Sequence, residues 1–120
     1  MNKTKLGQYG QNKALEFLCK KGLKLLASNF KIIGGEIDLI MQDNDCFVFV
    51  EVKYRRSVNY GLPRESVTPQ KQQRIKLTAM HYLEKFVLTK TAIEPAMRFD
   101  VVEVLEIGNR LEISHIEDAF

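Results

Sequence analysis

The chain has 120 residues, of which 45% are hydrophobic and 28% charged, enough for one domain (residues 1–120) with a modest core and too few for two. Its two cysteines exclude a disulfide framework, and the apolar run at residues 46–50 is far too short to span a bilayer, so a soluble cytoplasmic protein with reduced, buried thiols at Cys19 and Cys46 is expected. The formal net charge of +3 says little by itself, but residues 53–76 hold seven basic side chains (Lys53, Arg55, Arg56, Arg64, Lys71, Arg74, Lys76) against the single acid Glu65. An ordinary solvated loop and helix face would give the same excess, so its significance depends on what lies beside it.

In chain order, Ala14, Phe17 and Leu18 recur at helical spacing, which predicts an amphipathic helix over residues 8–21 ended by Gly22. Residues 23–33 read as a strand or irregular extended segment, broken by Gly34 and Gly35. Residues 36–42 and the run CFVFVEVKY at 46–54 read as a β-hairpin across Asn44 and Asp45. Residues 55–68 lack periodicity and contain Gly61 and Pro63, which predicts a long exposed loop. Thr68 followed by Pro69 is a helix start, and Ile75, Ala79, Tyr82, Leu83 and Phe86 supply its apolar face. After a linker at 89–97, strands at 98–105 and 111–116 flank a turn at Gly108 and Asn109. The order α, β, β, β, α, β, β predicts an α/β sandwich around a mixed sheet.

Side chains alternate along a strand, so Glu36 and Asp38 share one face of the first hairpin strand, and Glu51 and Lys53 share one face of the second. A two-residue turn at Asn44 and Asp45 would set Asp38 opposite Glu51 and Glu36 opposite Lys53. Opposed carboxylates need a cation. Hard oxygen donors without Cys or His favour Mg²⁺ or Mn²⁺ over zinc. A wet hairpin face would also accommodate such charges, but Phe47 and Phe49 continue the face of Glu51 and Lys53, and charge that ends an apolar face marks the edge of a cleft.

Asp38 followed by Glu51-Val52-Lys53 resembles the PD-(D/E)XK nuclease superfamily, in which an acid on one strand precedes E-x-K on the next. GEIDLI at 35–40, FVEVKYR at 49–55, the Gly61 and Pro63 loop, Lys71, RFDVV at 98–102 and the terminal HIEDAF together resemble the YraN-like family, small bacterial proteins similar to archaeal Holliday junction resolvases. The resemblance runs from about Gly7 to Phe120. It implies a restriction-endonuclease-like core and a metal-dependent endonuclease acting on branched or structured DNA, and it allows a homodimer. Where the family usually carries Gly-Glu in the first helix, this chain has Gly10-Gln11, so the resemblance carries over no acid there and leaves one metal or two open.

On this reading Asp38 and Glu51, with the Val52 carbonyl, are the metal ligands; Lys53 orients the attacking water and stabilises developing charge; and Glu36 and Gln11 support them. Arg55, Arg56, Lys71 and Arg74 are the expected phosphate contacts. Tyr54 and Tyr60, interleaved with these charges, are expected to pack rather than to stack on bases. His81 and His115 have no partner at meaningful spacing and are expected to be structural, as is a fold-holding pair of Arg98 and Asp100. The rival readings are a nucleic-acid-binding protein that keeps the fold without cleavage, and a protein-interaction adaptor.

Overall fold

The computed structural model describes residues 3–56, 67–91 and 93–120. Helix α1 (Lys3–Lys20) precedes strands β1 (Lys24–Ile32), β2 (Gly35–Asp43) and β3 (Cys46–Arg55); helix α2 (Pro69–Phe86) follows, then β4 (Ala96–Ile107) and β5 (Arg110–Ile116). The strands lie in the order β1-β2-β3-β4-β5 and every neighbouring pair is antiparallel except β3 and β4, which are parallel and connected through α2. The predicted mixed α/β sheet and both helices are present. The loop anticipated at 55–68 lies largely outside the described residues, together with Tyr60, Gly61, Pro63, Arg64 and Glu65.

Each helix covers one face of the sheet. Leu39, Met41, Val48, Val50, Val102 and Val104 pack with Ala14 and Leu18 of α1; Ile40, Phe49, Phe99 and Val101 pack with Ile75, Ala79, Tyr82 and Leu83 of α2. Phe49 and Leu18 are fully buried, and burial of such a side chain stabilises the fold by about 1.5–3 kcal/mol. Because β3 and β4 are covered on both sides, their central residues are apolar in an unbroken run rather than in alternation.

Local signals fix the element ends. Gly22, at φ 97°, closes α1 in a Schellman arrangement: its N–H reaches Cys19 O at 3.0 Å, the Leu23 N–H reaches Leu18 O at 3.1 Å, and Leu18 and Leu23 share one cluster. Thr68 caps α2 by accepting the Lys71 N–H at 3.2 Å, with Pro69 in the first helical position.

Some expectations need correction. Helix α1 starts at Lys3, ahead of the anticipated residue 8, because the sequence KTKLG at its start carries no apolar periodicity. Cys19 is exposed and Cys46 half-buried, so neither thiol is a core residue, although both are free. Phe86 is exposed in part and reaches Phe30 and Tyr82 at the rim of the α2 core. His115 does have an acidic partner: Nε2 lies 2.7 Å from Asp100 Oδ2, while Lys21 Nζ lies 2.7 Å from Nδ1. The expected Arg98–Asp100 pair forms at 3.1 Å and extends to Asp43 and to the backbone N–H of Asp118.

Candidate active site

The β2–β3 hairpin has the expected turn, with Asn44 at φ 53° and Asp43 opposite Cys46. Its ladder runs only as far as Leu39 opposite Val50. There β2 leaves β3 and stays with β1, whereas β3 continues beside β4 to Arg55 opposite Leu105. The anticipated ladder pairs of Asp38 with Glu51 and Glu36 with Lys53 are therefore absent. In their place the Val52 N–H donates to Asp38 Oδ2 at 2.8 Å, supplying the amide at the fork with the acceptor that a departing strand cannot. Ile37 and Ile40 both enter the α2 cluster though three positions apart, so β2 rotates between them, at Asp38.

The α2 side of the fork is a cleft of about 320 Å³ that brings Glu36, Asp38, Glu51, Lys71 and Arg74 together. Gly35 allows this. A Cβ there would stand 2.0 Å from Thr78 Oγ1 and 3.3 Å from Arg74 O, so the hairpin and α2 approach to a distance that only glycine permits. The first two turns of α2 then overhang the acids. Lys71 Nζ lies 2.7 Å from Glu51 Oε1, and Lys53 Nζ lies 3.6 Å from the same oxygen.

On the α1 side, Gln11 and Asn29 exchange reciprocal amide hydrogen bonds at 2.9 and 3.1 Å, and Asn29 Nδ2 also donates to Glu36 Oε1 at 3.2 Å. Glu36 is thus held by Asn29 rather than by Lys53. Asn29 adopts φ 52°, a left-handed conformation that asparagine tolerates better than most residues. Together with Gly7, Tyr54 and Val52 these side chains line a second cleft, of about 540 Å³, that meets the first at Glu36 and Asp38. Sequence reasoning missed Asn29; an asparagine within an otherwise β-forming run was the available signal.

The electrostatics set the site apart from a hairpin surface. Burial, reinforced by the neighbouring Glu51 and only partly offset by the Val52 N–H, raises the Asp38 carboxyl to about 7. Burial lowers the Lys53 ammonium below its ordinary range, with Glu51 opposing the shift and Lys71 adding to it. Burial works against the Lys71 ammonium too, but its hydrogen bond and charge attraction to Glu51, with smaller contributions from Lys53 and Asp38, together outweigh it and raise the ammonium. Shifts in opposite directions on adjacent groups are characteristic of chemical sites.

Among the described residues no group of three or more His, Cys, Asp or Glu converges as a metal cage. The carboxylates that line the cleft are Glu36, Asp38 and Glu51. This hard, sparse set fits Mg²⁺ or Mn²⁺, which use one or two carboxylates and complete their shell with water and substrate phosphate. The Lys71 ammonium already neutralises Glu51 at that carboxylate.

The remaining basic residues divide. Arg74 is exposed at the cleft. Arg56 is exposed beside the Tyr54 hydroxyl at 3.3 Å, and that hydroxyl donates to Glu106. Arg55, in contrast, is turned into the α2 face with Nε 3.2 Å from Glu103 Oε2 and only 10% of its side chain exposed, which leaves it poorly placed to meet a phosphate.

A five-stranded mixed sheet between two helices, with an acid at the fork and E-x-K on the central strand, is the core that the PD-(D/E)XK resemblance implied. A profile of the family described as "Uncharacterised protein family UPF0102" matches residues 10–104, and the chain belongs to that family, which is the YraN-like one. It is similar to UPF0102 proteins of Caldicellulosiruptor saccharolyticus (44% identity over 122 residues, the whole of both chains) and Clostridioides difficile (40% over 120 residues, again the whole of both). It is also similar to one of Herminiimonas arsenicoxydans, at 46% identity over 99 residues covering 82% of this chain and 76% of the relative. Among the described residues no helix is long and apolar enough to cross a membrane.

Proposed function

We propose that this protein is a cytoplasmic metal-dependent endonuclease that hydrolyses phosphodiester bonds in branched or structured DNA. The observation that carries the reading is the convergence of Asp38, Glu51 and Lys53 at the strand fork, with Asp38 clamped by the amide between the other two. Mg²⁺ or Mn²⁺ held by Asp38, Glu51 and the Val52 carbonyl would polarise the scissile phosphate and acidify a water. Lys53, with its lowered proton affinity, orients that water and donates to the charge that develops on the phosphoryl oxygens. Glu36, fixed by Asn29, lies at the edge of both clefts and orders water there. Arg74 and the start of α2 face the phosphate backbone, contacts that position a duplex without reading its sequence. A four-way junction presents two scissile strands, and a homodimer would engage both.

The test is cleavage of four-way and flapped DNA with Mg²⁺. Wild type should cut, and Asp38→Ala and Lys53→Ala should each lower the rate by about 10²-fold or more. Gln11, an amide where the family usually has an acid, favours a second reading: a nucleic-acid-binding protein without turnover. Salt-dependent DNA binding with no cleavage under any divalent metal would establish that reading and remove the first.

A further inference from the structure

We infer that Lys71 is the resident counter-cation of Glu51 and releases that carboxylate to the metal when a substrate phosphate takes the lysine, so that metal and phosphate load the site cooperatively. The inference rests on the proposed phosphodiesterase reading and adds how its site is loaded. Glu51 Oε1 meets Lys71 Nζ at 2.7 Å and Lys53 Nζ at 3.6 Å, and the Glu51 side chain is only 8% exposed. A carboxylate so buried needs a cation at all times, and Lys71 supplies one when no metal is bound. A divalent ion on the same carboxylate would face two ammonium groups, so one of them must leave.

Lys71 is the one built to move. Its side chain is 36% exposed against 22% for Lys53, and Lys53 shares the β3 backbone with Glu51 whereas Lys71 reaches it from another element. Its own backbone is held by the Thr68 cap, so departure needs only side-chain rotation. The cleft offers a destination: Arg74 lines it one turn further along α2, and a phosphate seated between the two would replace Glu51 as the partner of Lys71. Each ligand then removes an obstacle to the other, and the coupling is reciprocal.

The experiment is Mn²⁺ binding, followed by electron paramagnetic resonance of free Mn²⁺, to wild type, Lys71→Met and Lys71→Gln. Each is titrated with and without a phosphorothioate-backbone DNA duplex, which resists hydrolysis. Without DNA both variants should bind Mn²⁺ about tenfold tighter than wild type, and the tightening that DNA gives wild type should largely disappear in them. Asp38→Asn should abolish binding in every background. If wild type binds Mn²⁺ through Asp38 but neither variant binds it more tightly, Lys71 is no counter-cation and the inference is overturned. If no form binds Mn²⁺ at all, the phosphodiesterase reading itself fails and takes the inference with it.

Discussion

The backbone N–H of Val52 holds Asp38 Oδ2 at 2.8 Å, so the residue between Glu51 and Lys53 clamps the acid of the neighbouring strand. Its side chain packs toward α1 while Glu51 and Lys53 face α2. In the E-x-K triplet the middle residue therefore contributes its amide to the site and its side chain to the opposite core.

The Asp38 carboxyl gives the site a pH signature. Raised from 3.8 to about 7, it stays protonated in the folded protein over a range where the unfolded chain has ionised, so the folded state binds more protons there. Without metal, stability should fall as pH rises from about 4 to 7. Asp38→Asn removes the conflict. With EDTA present it should melt with wild type at pH 4 but be more stable at pH 8, on the order of 2 kcal/mol by denaturant titration. A difference that does not vary with pH would contradict the assignment.

Gly35→Ala should separate α2 from the hairpin. The new methyl meets Thr78 Oγ1, which is itself bonded to Arg74 O at 2.6 Å and cannot readily turn aside. A loss of about 1–3 kcal/mol is expected from such overpacking. The Gly35→Ala, Thr78→Ala double variant should lose less than the sum of its parts, a coupling that a double-mutant cycle measures directly.

Gln11→Glu should add a carboxylate beside Glu36 and Asp38. In the metal-free protein it loses the Gln11 Nε2 hydrogen bond to Asn29 and places another negative charge in the α1-side cleft. A lower Tm in EDTA is expected, with unfolding free energy reduced by about 1 kcal/mol or more. Mn²⁺ should reverse the loss and bind with higher stoichiometry or affinity than in wild type. Calorimetric titration of both proteins decides it.

Much of this fold is legible in the sequence because its signals are local. Thr68 and Pro69 start α2, Gly22 closes α1, and the turn at Asn44 and Asp45 fixes the hairpin register through Leu39 and Val50. The same register fails one residue later, because nothing local records that β2 leaves β3 there while β3 continues along β4. Lys71 is visible as a basic residue but not as the partner of Glu51, since that contact depends on how closely α2 approaches Gly35. His115 and Asp100 lay within reach of the same reasoning. A two-residue turn at Gly108 and Asn109 places His115 opposite Val102, on the face that Asp100 shares.

Asp100 should govern stability in acid. Burial opposes its charge, but hydrogen bonds with His115 and the Asp118 N–H, with the Arg98 guanidinium, outweigh it and hold the carboxyl below the usual range. A depressed carboxylate stabilises the fold above its unfolded pKa, and that contribution is lost as pH falls through the folded value, so the loss should appear below about pH 4. Asp100→Asn removes the buried carboxylate partner of Arg98 and His115, leaving Arg98 with Asp43 and Glu117, and should cost about 1.5–3 kcal/mol near neutral pH, with a shallower acid limb than wild type. Urea midpoints at several pH values test both parts.

The Arg98, Asp100 and His115 network lies on the α1 face of the sheet, whereas Glu51 and Lys53 lie on the α2 face. In genetic terms the chain should yield two separable kinds of mutant. Lesions at the first network would give heat-sensitive protein with intact chemistry, recoverable by lowering the temperature or by stabilising changes elsewhere. Lesions at the fork would give well-folded, abundant protein that no second-site stabiliser restores, and, on the nuclease function proposed above, such protein would still occupy DNA and interfere with wild type in the same cell.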